Sequence, residues 1–298
     1  MPDARLRRAV HFVPGGNERM LTKSLTLEAD SLVLDLEDAV TVDRKDEARG
    51  LVAGWLRDVD FGRQERVVRV NALDTPWWRD DLRATMAAPP DAYMLPKINN
   101  RADVQTYAEE VARLEAEFGH AAGRVTFVVL GTETPHSAVH LAEIPTADRV
   151  SALTWGAEDL SAAIGARRNR DEAGVLLDVF RYCRVQTLLC AVAADVQPLD
   201  TVYVDIRNLE GLRRDCQEAV AMGFTGRLTI HPDQIAVVNE LFTPTAQDAA
   251  DAQELLDAVE AGRAEGRGAI TLRGQMVDAA HIGRAETVLA RARQAGVV

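Results

Sequence analysis

The chain has 298 residues, 47% hydrophobic and 27% charged, and its 46 acidic side chains against 34 Lys and Arg give a formal charge of −12. These are the proportions of a chain that buries a core, which excludes a disordered acidic tail, and the negative excess disfavours nucleic acid and anionic membrane surfaces as partners. Arg5, Arg7 and Arg8 precede the apolar run Ala9–Val13, but Pro14-Gly15-Gly16 ends that run too soon for a secretory leader or a membrane span, so the cytoplasm is the expected compartment.

Short apolar or β-branched runs then alternate with stretches of helical period. Ala9–Val13 leads to a helix opening near Asn17, Ser31–Leu36 to Asp43–Trp55, Arg66–Val70 to Trp77–Met86, and Ala92–Leu95 to Arg101–Phe118. Val125–Leu130 leads to Thr134–Ala142, Arg149–Trp155 to the segment from Glu158, Thr201–Val204 to Leu209–Met222, and Arg227–Ile230 to Pro232–Phe242. Parallel strands need crossover connections, so eight such units predict a (β/α)8 TIM barrel over residues 1–245. A doubly wound sheet is the alternative; the missing G-x-G-x-x-G after the first strand weighs against it. Beyond the barrel, residues 246–298 read as a C-terminal helical extension and lid. It comprises a helix over Ala246–Arg263, a flexible break from Gly262 to Gly268, the segment Gly268–Asp278, and a final helix over Ala279–Ala295.

Three cysteines, Cys183, Cys190 and Cys216, form no C-x-x-C pair, and Cys183 and Cys190, seven residues apart in an apolar helical stretch, read as buried packing residues. His136 and His140 have the i, i+4 spacing of a zinc pair but lack the H-E-x-x-H glutamate, and read as ordinary helix histidines. The Trp77-Trp78 pair reads as a cap on the barrel bottom or an oligomer contact rather than an aromatic wall of the site.

A barrel of this type builds its active site at the carboxyl ends of its strands. There the chain places Asp35-Leu36-Glu37-Asp38, Arg69-Val70-Asn71, Pro96-Lys97, Gly131-Thr132-Glu133, Gly156-Ala157-Glu158-Asp159 and His231-Pro232. One acidic residue after a strand can merely cap the next helix. Carboxylates from strands two, five and six on one rim, with Arg69 and Lys97 between them, are too many for that. A hard divalent cation resolves the repulsion, with a carboxylate each from strands five and six and the remaining positions filled by water and substrate oxygens. The residues thus point to a metal-assisted enzyme acting on an oxygen-rich anion.

The strings Phe12-Val-Pro-Gly15, Ala29-Asp30-Ser-Leu-Val-Leu-Asp-Leu-Glu-Asp-Ala-Val40, Arg69-Val-Asn71, Leu95-Pro-Lys97, Glu133-Thr134, Gly156-Ala-Glu-Asp-Leu160, Ile230-His-Pro232 and Gly274-Gln-Met-Val-Asp278 resemble, in order, those of the citrate lyase beta-subunit-like enzymes of the HpcH/HpaI aldolase superfamily. The resemblance implies a TIM barrel that binds Mg2+, with Mn2+ as a substitute. Its chemistry is making or breaking a carbon–carbon bond between a coenzyme A thioester and a keto acid. It implies Glu133 and Asp159 as metal ligands, Arg69 as the clamp on the keto-acid carboxylate, and Phe12 and Lys23 as coenzyme A contacts. Asn17 stands where relatives carry an arginine, with Arg19 nearby as a replacement. Lys97 joins the substrate-binding set, and Glu37 and Asp38 join Arg69 in the catalytic set. Asp278 matches an acidic lid residue lent to a neighbouring subunit, which implies a homotrimer or a pair of trimers. A malyl-CoA-type thioesterase, a citrate lyase beta subunit acting on a carrier-protein thioester and an inactive binding subunit remain as alternatives.

Overall fold

Runs of Val, Leu and Ala, each bounded by turn residues and followed by a helix, close into a barrel in the computed structural model, which describes residues 5–264 and 270–298. The strands are β1 (Ala9–Pro14), β2 (Ser31–Asp35), β3 (Glu65–Arg69), β4 (Ala92–Leu95), β5 (Thr126–Gly131), β6 (Val150–Trp155), β7 (Gln197–Asp200) and β8 (Gly226–Thr229). They pair in parallel in chain order, and β8 closes on β1. The helices are α1 (Glu18–Ser24), α2 (Lys45–Asp58), α3 (Trp78–Met86), α4 (Arg101–Phe118), α5 (Pro135–His140), α6 (Ala157–Ala163), α7 (Asp178–Ala193), α8 (Leu209–Met222) and α9 (Pro232–Phe242). This is the (β/α)8 TIM barrel that the alternation predicts.

Because successive side chains alternate across a strand, one set points inward and the other meets the helices. Val10, Val33, Val67, Met94, Val128, Ala152, Leu199 and Leu228 pack together inside the barrel. β1, β2, β4, β5 and β6 are largely apolar on both faces, as is usual for parallel strands covered by helices, whereas β7 and β8 carry the buried Asp200 and Arg227. At the amino ends of the strands the interior is closed by polar groups. Arg7 donates through Nε and Nη2 to the two carboxylate oxygens of Glu65, at 2.8 and 2.7 Å, and through Nη1 to Gln197 Oε1 at 3.1 Å. Ser31 Oγ adds a 2.6 Å bond to Glu65. The closing seam depends on Gly226, where a Cβ would lie 1.7 Å from the Arg7 carbonyl oxygen.

Seven strands lie within one residue of the predicted positions. The exception is β7, predicted at Thr201–Val204 and found four residues earlier. Its sequence, Gln-Pro-Leu-Asp, has poor strand propensity, and tertiary pairing overrides it. The tryptophan reading is also corrected. Trp78 is buried, edge-on to Tyr107 with ring centroids 5.3 Å apart, between α3 and α4. Trp77 lies under the Lys45 ammonium, which donates to the carbonyls of Leu36 and Glu37, on the carboxyl side of the strands rather than at the bottom.

The chain divides into two compact units, Arg7–Asn239 and Glu240–Val298, the latter with the residues before Arg7. In the second unit, α10 (Ala246–Ala264) and α11 (Ala279–Gln294) pack through Ala249, Ala252, Ala285, Leu289 and Ala292. Between them lies an antiparallel hairpin, β9 (Ile270–Leu272) and β10 (Gln275–Val277), turned by Arg273 and Gly274 at φ 49° and 80°. Gly268, the predicted start of the lid segment, and the end of the predicted flexible break lie outside the described residues. No helix among the described residues is long and apolar enough to cross a membrane.

Removing one partner of the Arg7–Glu65 pair strands a charge inside the barrel. Glu65→Ala is expected to lower the unfolding free energy by about 3–5 kcal/mol, whereas the double change Arg7→Met with Glu65→Leu should recover most of that loss. Urea titration followed by circular dichroism checks both.

Candidate active site

Alternation from Val33 turns Asp35 inward, and alternation from Val67 does the same for Arg69 on the neighbouring strand. Arg69 donates from Nε to Asp35 Oδ1 at 2.8 Å and from Nη2 to Oδ2 at 2.7 Å. Its Nη1 lies 2.9 Å from Glu37 Oε2, and its guanidinium carbon sits 4.9 Å from the centre of the Phe12 ring. Burial opposes the charge, but Asp35 and Glu37 more than offset it and raise the Arg69 pKa. The bidentate edge predicted to grip a substrate carboxylate therefore holds Asp35 in this structure. Gly15 is needed beside it, because a Cβ there would lie 2.6 Å from the Asp35 carbonyl oxygen.

Lys97 follows β4 with φ 51°, and Thr132 follows β5 with φ 60°. Non-glycine residues in the left-handed region cost on the order of 1–2 kcal/mol each, so two of them at one rim mark a conformation that the surroundings enforce. At Lys97 the turn aims the backbone N–H at the Glu133 carboxylate, to which it donates. The Lys97 ammonium donates to Glu37 and lies 3.3 Å from Asp38 and 3.9 Å from Asp159. Burial opposes its charge as well, but these carboxylates, led by Glu37, raise its pKa.

Glu133 is 3% exposed. Burial, then the charge of Glu37 and more weakly that of Asp159, push its carboxyl up to about 8 despite the Lys97 N–H. Gly156 makes room for it, since a Cβ at that position would lie 2.5 Å from Glu133 Cγ. Asp159, in the first turn of α6, leaves part of its carboxylate exposed on the same cavity, which Glu158 also lines while accepting from Asn169 Nδ2 at 2.5 Å. The cavity has a volume of about 860 Å3, with Arg69, Glu133 and Asp159 on its walls and Phe12, Leu130 and Leu228 as an apolar floor.

Charge decides what the rim can hold. Arg69, Lys97 and the buried Lys45 set three positive charges against the five carboxyl groups of Asp35, Glu37, Asp38, Glu133 and Asp159, an acidic excess of two. Lys45 adds no open donor, being bonded to two carbonyls and to Asn71 Oδ1 at 2.6 Å. A divalent cation held by Glu133 and Asp159 would offset this acidic excess through hard oxygen donors, so these residues fit Mg2+. Among the described residues no group of three or more His, Cys, Asp or Glu side chains is arranged to hold a metal ion.

The structure thus brings Phe12, Glu37, Asp38, Arg69, Lys97, Glu133 and Asp159 to one rim, with Lys23 and Arg19 exposed on α1 where it borders the cavity. Asn17 caps α1, accepting from Met20 N at 3.1 Å, which occupies its side-chain oxygen. Asp278 caps α11 in the C-terminal unit, accepting from Ala280 N and His281 N and pairing with His281 Nδ1 at 2.7 Å. His136 and His140 are exposed and stack on each other at 4.2 Å. The role of Asp35 escaped the sequence reading, although an acid closing an apolar run was its signal. Lys45 had none, standing in the mixed-charge run Asp43–Glu47.

A closed parallel barrel whose carboxyl rim gathers acids fit for a hard cation beside a buried arginine has the layout of a barrel enzyme acting on an anionic substrate. The HpcH/HpaI aldolase/citrate lyase family model matches residues 8–232, and the chain belongs to that family. It is 36% identical over 290 residues to a citrate lyase subunit beta from Leuconostoc mesenteroides subsp. cremoris, covering 97% of this chain and 94% of the relative. It is 35% identical to the mitochondrial citramalyl-CoA lyase of Mus musculus, over 95% of this chain and 85% of the relative. Among solved structures, CitE from Mycobacterium tuberculosis in complex with magnesium, acetoacetate and coenzyme A superposes with a TM-score of 0.76 at 35% identity, covering 98% of this chain and 100% of that one.

Gly156→Ala is expected to displace the Glu133 carboxylate and weaken divalent-cation binding about tenfold or more, the range found when the support of a metal ligand is lost. Calorimetric titration of the folded variant with Mg2+ checks this.

Proposed function

We propose that this protein is a cytoplasmic, Mg2+-dependent lyase that cleaves, or in reverse forms, a 3-hydroxyacyl-CoA of the malyl, citramalyl or citryl type, giving an acyl-CoA and a keto acid. The observation that carries the reading is the pair of acids Glu133 and Asp159, facing one cavity beside Arg69 in a chain of this family. Glu133 and Asp159 would hold the cation. Bound there, Mg2+ would supply Lewis acidity to the hydroxyl and carboxylate oxygens of the substrate.

Cleavage requires that the hydroxyl proton leave, that its oxygen become the keto-acid carbonyl, and that the carbon–carbon bonding pair pass to the thioester enolate, which then takes a proton at carbon. Asp38 is the base with an open face: its side chain is 57% exposed and only loosely held by Lys97 at 3.3 Å. Glu37, engaged by Arg69 and Lys97, keeps those two cations in place. Arg69 then offers its Nη1 side to the keto-acid carboxylate, and the oriented cations stabilise charge without reorganising during reaction. Lys23 and Arg19, exposed at the edge of the cavity, would meet the coenzyme A phosphates, and the Phe12 ring packs against Arg69 as well as lining the cavity.

Asp278 is assigned as the acid acting on the enolate carbon in the site of a neighbouring subunit, within a homotrimer or a pair of trimers. Self-association is supported by the apolar stripe on α7, where Val179, Tyr182, Val185, Leu189 and Val192 repeat at helical spacing and stand open to solvent.

The reading is tested by incubating acetyl-CoA or propionyl-CoA with glyoxylate, pyruvate or oxaloacetate, with and without Mg2+, and following products by mass spectrometry. A 3-hydroxyacyl-CoA that forms only with Mg2+ is expected, and Glu133→Gln and Asp159→Asn should each abolish it. Release of free CoA and acid from a 3-hydroxyacyl-CoA, without any carbon–carbon product, would instead assign a thioesterase. No turnover of any pair, with no Mg2+ binding, would reject the reading.

Subunit sharing has its own test. Mixing Asp278→Ala chains with Glu133→Gln chains, each inactive alone, should restore partial activity, because some mixed interfaces join two intact halves. Inactivity of the mixture after proven subunit exchange would confine Asp278 to its own barrel or to no catalytic role.

A further inference from the structure

Between the barrel wall and the helices lies a buried charge network that the chemistry above does not use. Asp200, the last residue of β7, is fully buried and accepts from Arg184 Nη2 of α7 at 2.7 Å, with Arg227 Nη2 of β8 at 3.4 Å from the same oxygen. Asp215 of α8 accepts from Arg227, and from Arg170 Nη1 at 3.0 Å and Nη2 at 3.2 Å. Burying ions in this way is a poor source of stability, since desolvation offsets much of the attraction. Its geometry suggests another use.

The network reaches the rim at two places. The second oxygen of Asp200 accepts from Trp155 Nε1 at 2.8 Å. Trp155 ends β6, is fully buried against Leu160, Phe180 and Cys183, and immediately precedes Gly156, against which Glu133 packs. Three residues further on is Asp159. From the other side, Arg170 ties the loop after α6 to Asp215, and its neighbour Asn169 bonds Glu158, adjacent to Asp159. The Gly156 N–H is meanwhile bonded to the Gly131 carbonyl at 3.1 Å, on the strand that leads to Glu133. The turn carrying Asp159 is therefore held at one end by the buried Trp155–Asp200 bond and at the other by the more exposed Asn169–Glu158 contact next to Arg170, and it is referenced to the Glu133 strand in the middle.

We propose that Asp200, acting through the Trp155 indole, is a positioning residue that sets the placement of Asp159 relative to Glu133, with the Arg170–Asn169 loop as the second tether. This rests on the reading of those two acids as the metal pair. Mg2+ demands near-octahedral oxygens at 2.0–2.1 Å, while Ca2+ accepts 2.3–2.6 Å and irregular shells. A turn that loses its tether should lose Mg2+ binding more than Ca2+ binding. A change that only loosens the fold has no reason to alter the preference between the two ions.

The test is calorimetric titration of the full-length protein with Mg2+ and, separately, with Ca2+. Trp155→Phe keeps a buried ring and deletes the N–H; it should weaken Mg2+ binding about five- to tenfold and Ca2+ binding about twofold or less. Asn169→Ala, on an exposed loop and safe for folding, should shift the ratio in the same direction by a smaller factor. Cys216→Ala, which removes a contact to Arg227 but none to Trp155, should lower Tm with no change in the ratio. An unchanged ratio in both Trp155→Phe and Asn169→Ala, or equal losses for the two ions, in a protein whose wild type binds Mg2+ would overturn the positioning role alone. A wild type that binds neither ion would remove the metal reading and this proposal together.

Discussion

Carboxyl groups outnumber cations at the carboxyl rim of this barrel, and most of the local structure follows from keeping them close. Five acids around Arg69, Lys97 and Lys45 repel one another in a partly dehydrated cavity, where each interaction is stronger than in water. The fold answers with directed hydrogen bonds: the fork of Arg69 on Asp35, the ammonium of Lys97 on Glu37, and a backbone N–H aimed at Glu133 by a left-handed residue. Glycines at 15 and 156 clear the space these contacts need. The remaining negative charge is left for a cation and its substrate to neutralise.

The two ends of the barrel divide the work. At the bottom the Arg7–Glu65 pair, with Gln197 and Ser31, is closed and fully matched, as a stabilising feature should be. At the top the charges are deliberately unequal, and the residues that carry them sit in strained or glycine-dependent turns. Ten inward-facing apolar side chains separate the two layers, so substitution at one end has little direct electrostatic route to the other.

Much of this was legible in the residues because parallel strands covered on both faces must be short apolar runs, and rim acids must follow them. Seven strands and the acids at their exits follow from that pattern alone. β7 was hidden because Gln197, Pro198 and Asp200 have no strand propensity and are held there by pairing, burial and the arginines of α7 and β8. Misplacing that strand also concealed Asp200, whose partners lie on three other elements. The fork between Arg69 and Asp35 was likewise invisible: both residues stood out, but nothing in the spacing says that one would occupy the other. Lys45 shows the general limit, since its buried role depends on carbonyls that no side-chain pattern announces.

The seam between β8 and β1 has a consequence for how the chain reaches this structure. It joins groups 218 positions apart, as between His11 and Thr229, so its loop-closure entropy is among the largest in the molecule. All eight strands can pair with their sequence neighbours as they leave the ribosome, but until Gly226–Thr229 docks against Ala9–His11, β1 and β8 each present an unpaired edge. Those are templates for pairing with another chain. Closure against the Arg7 backbone, through a glycine that alone fits there, is then the step that ends exposure to aggregation, and slow folding with a yield that falls as protein concentration rises is the signature of such a late, non-local contact.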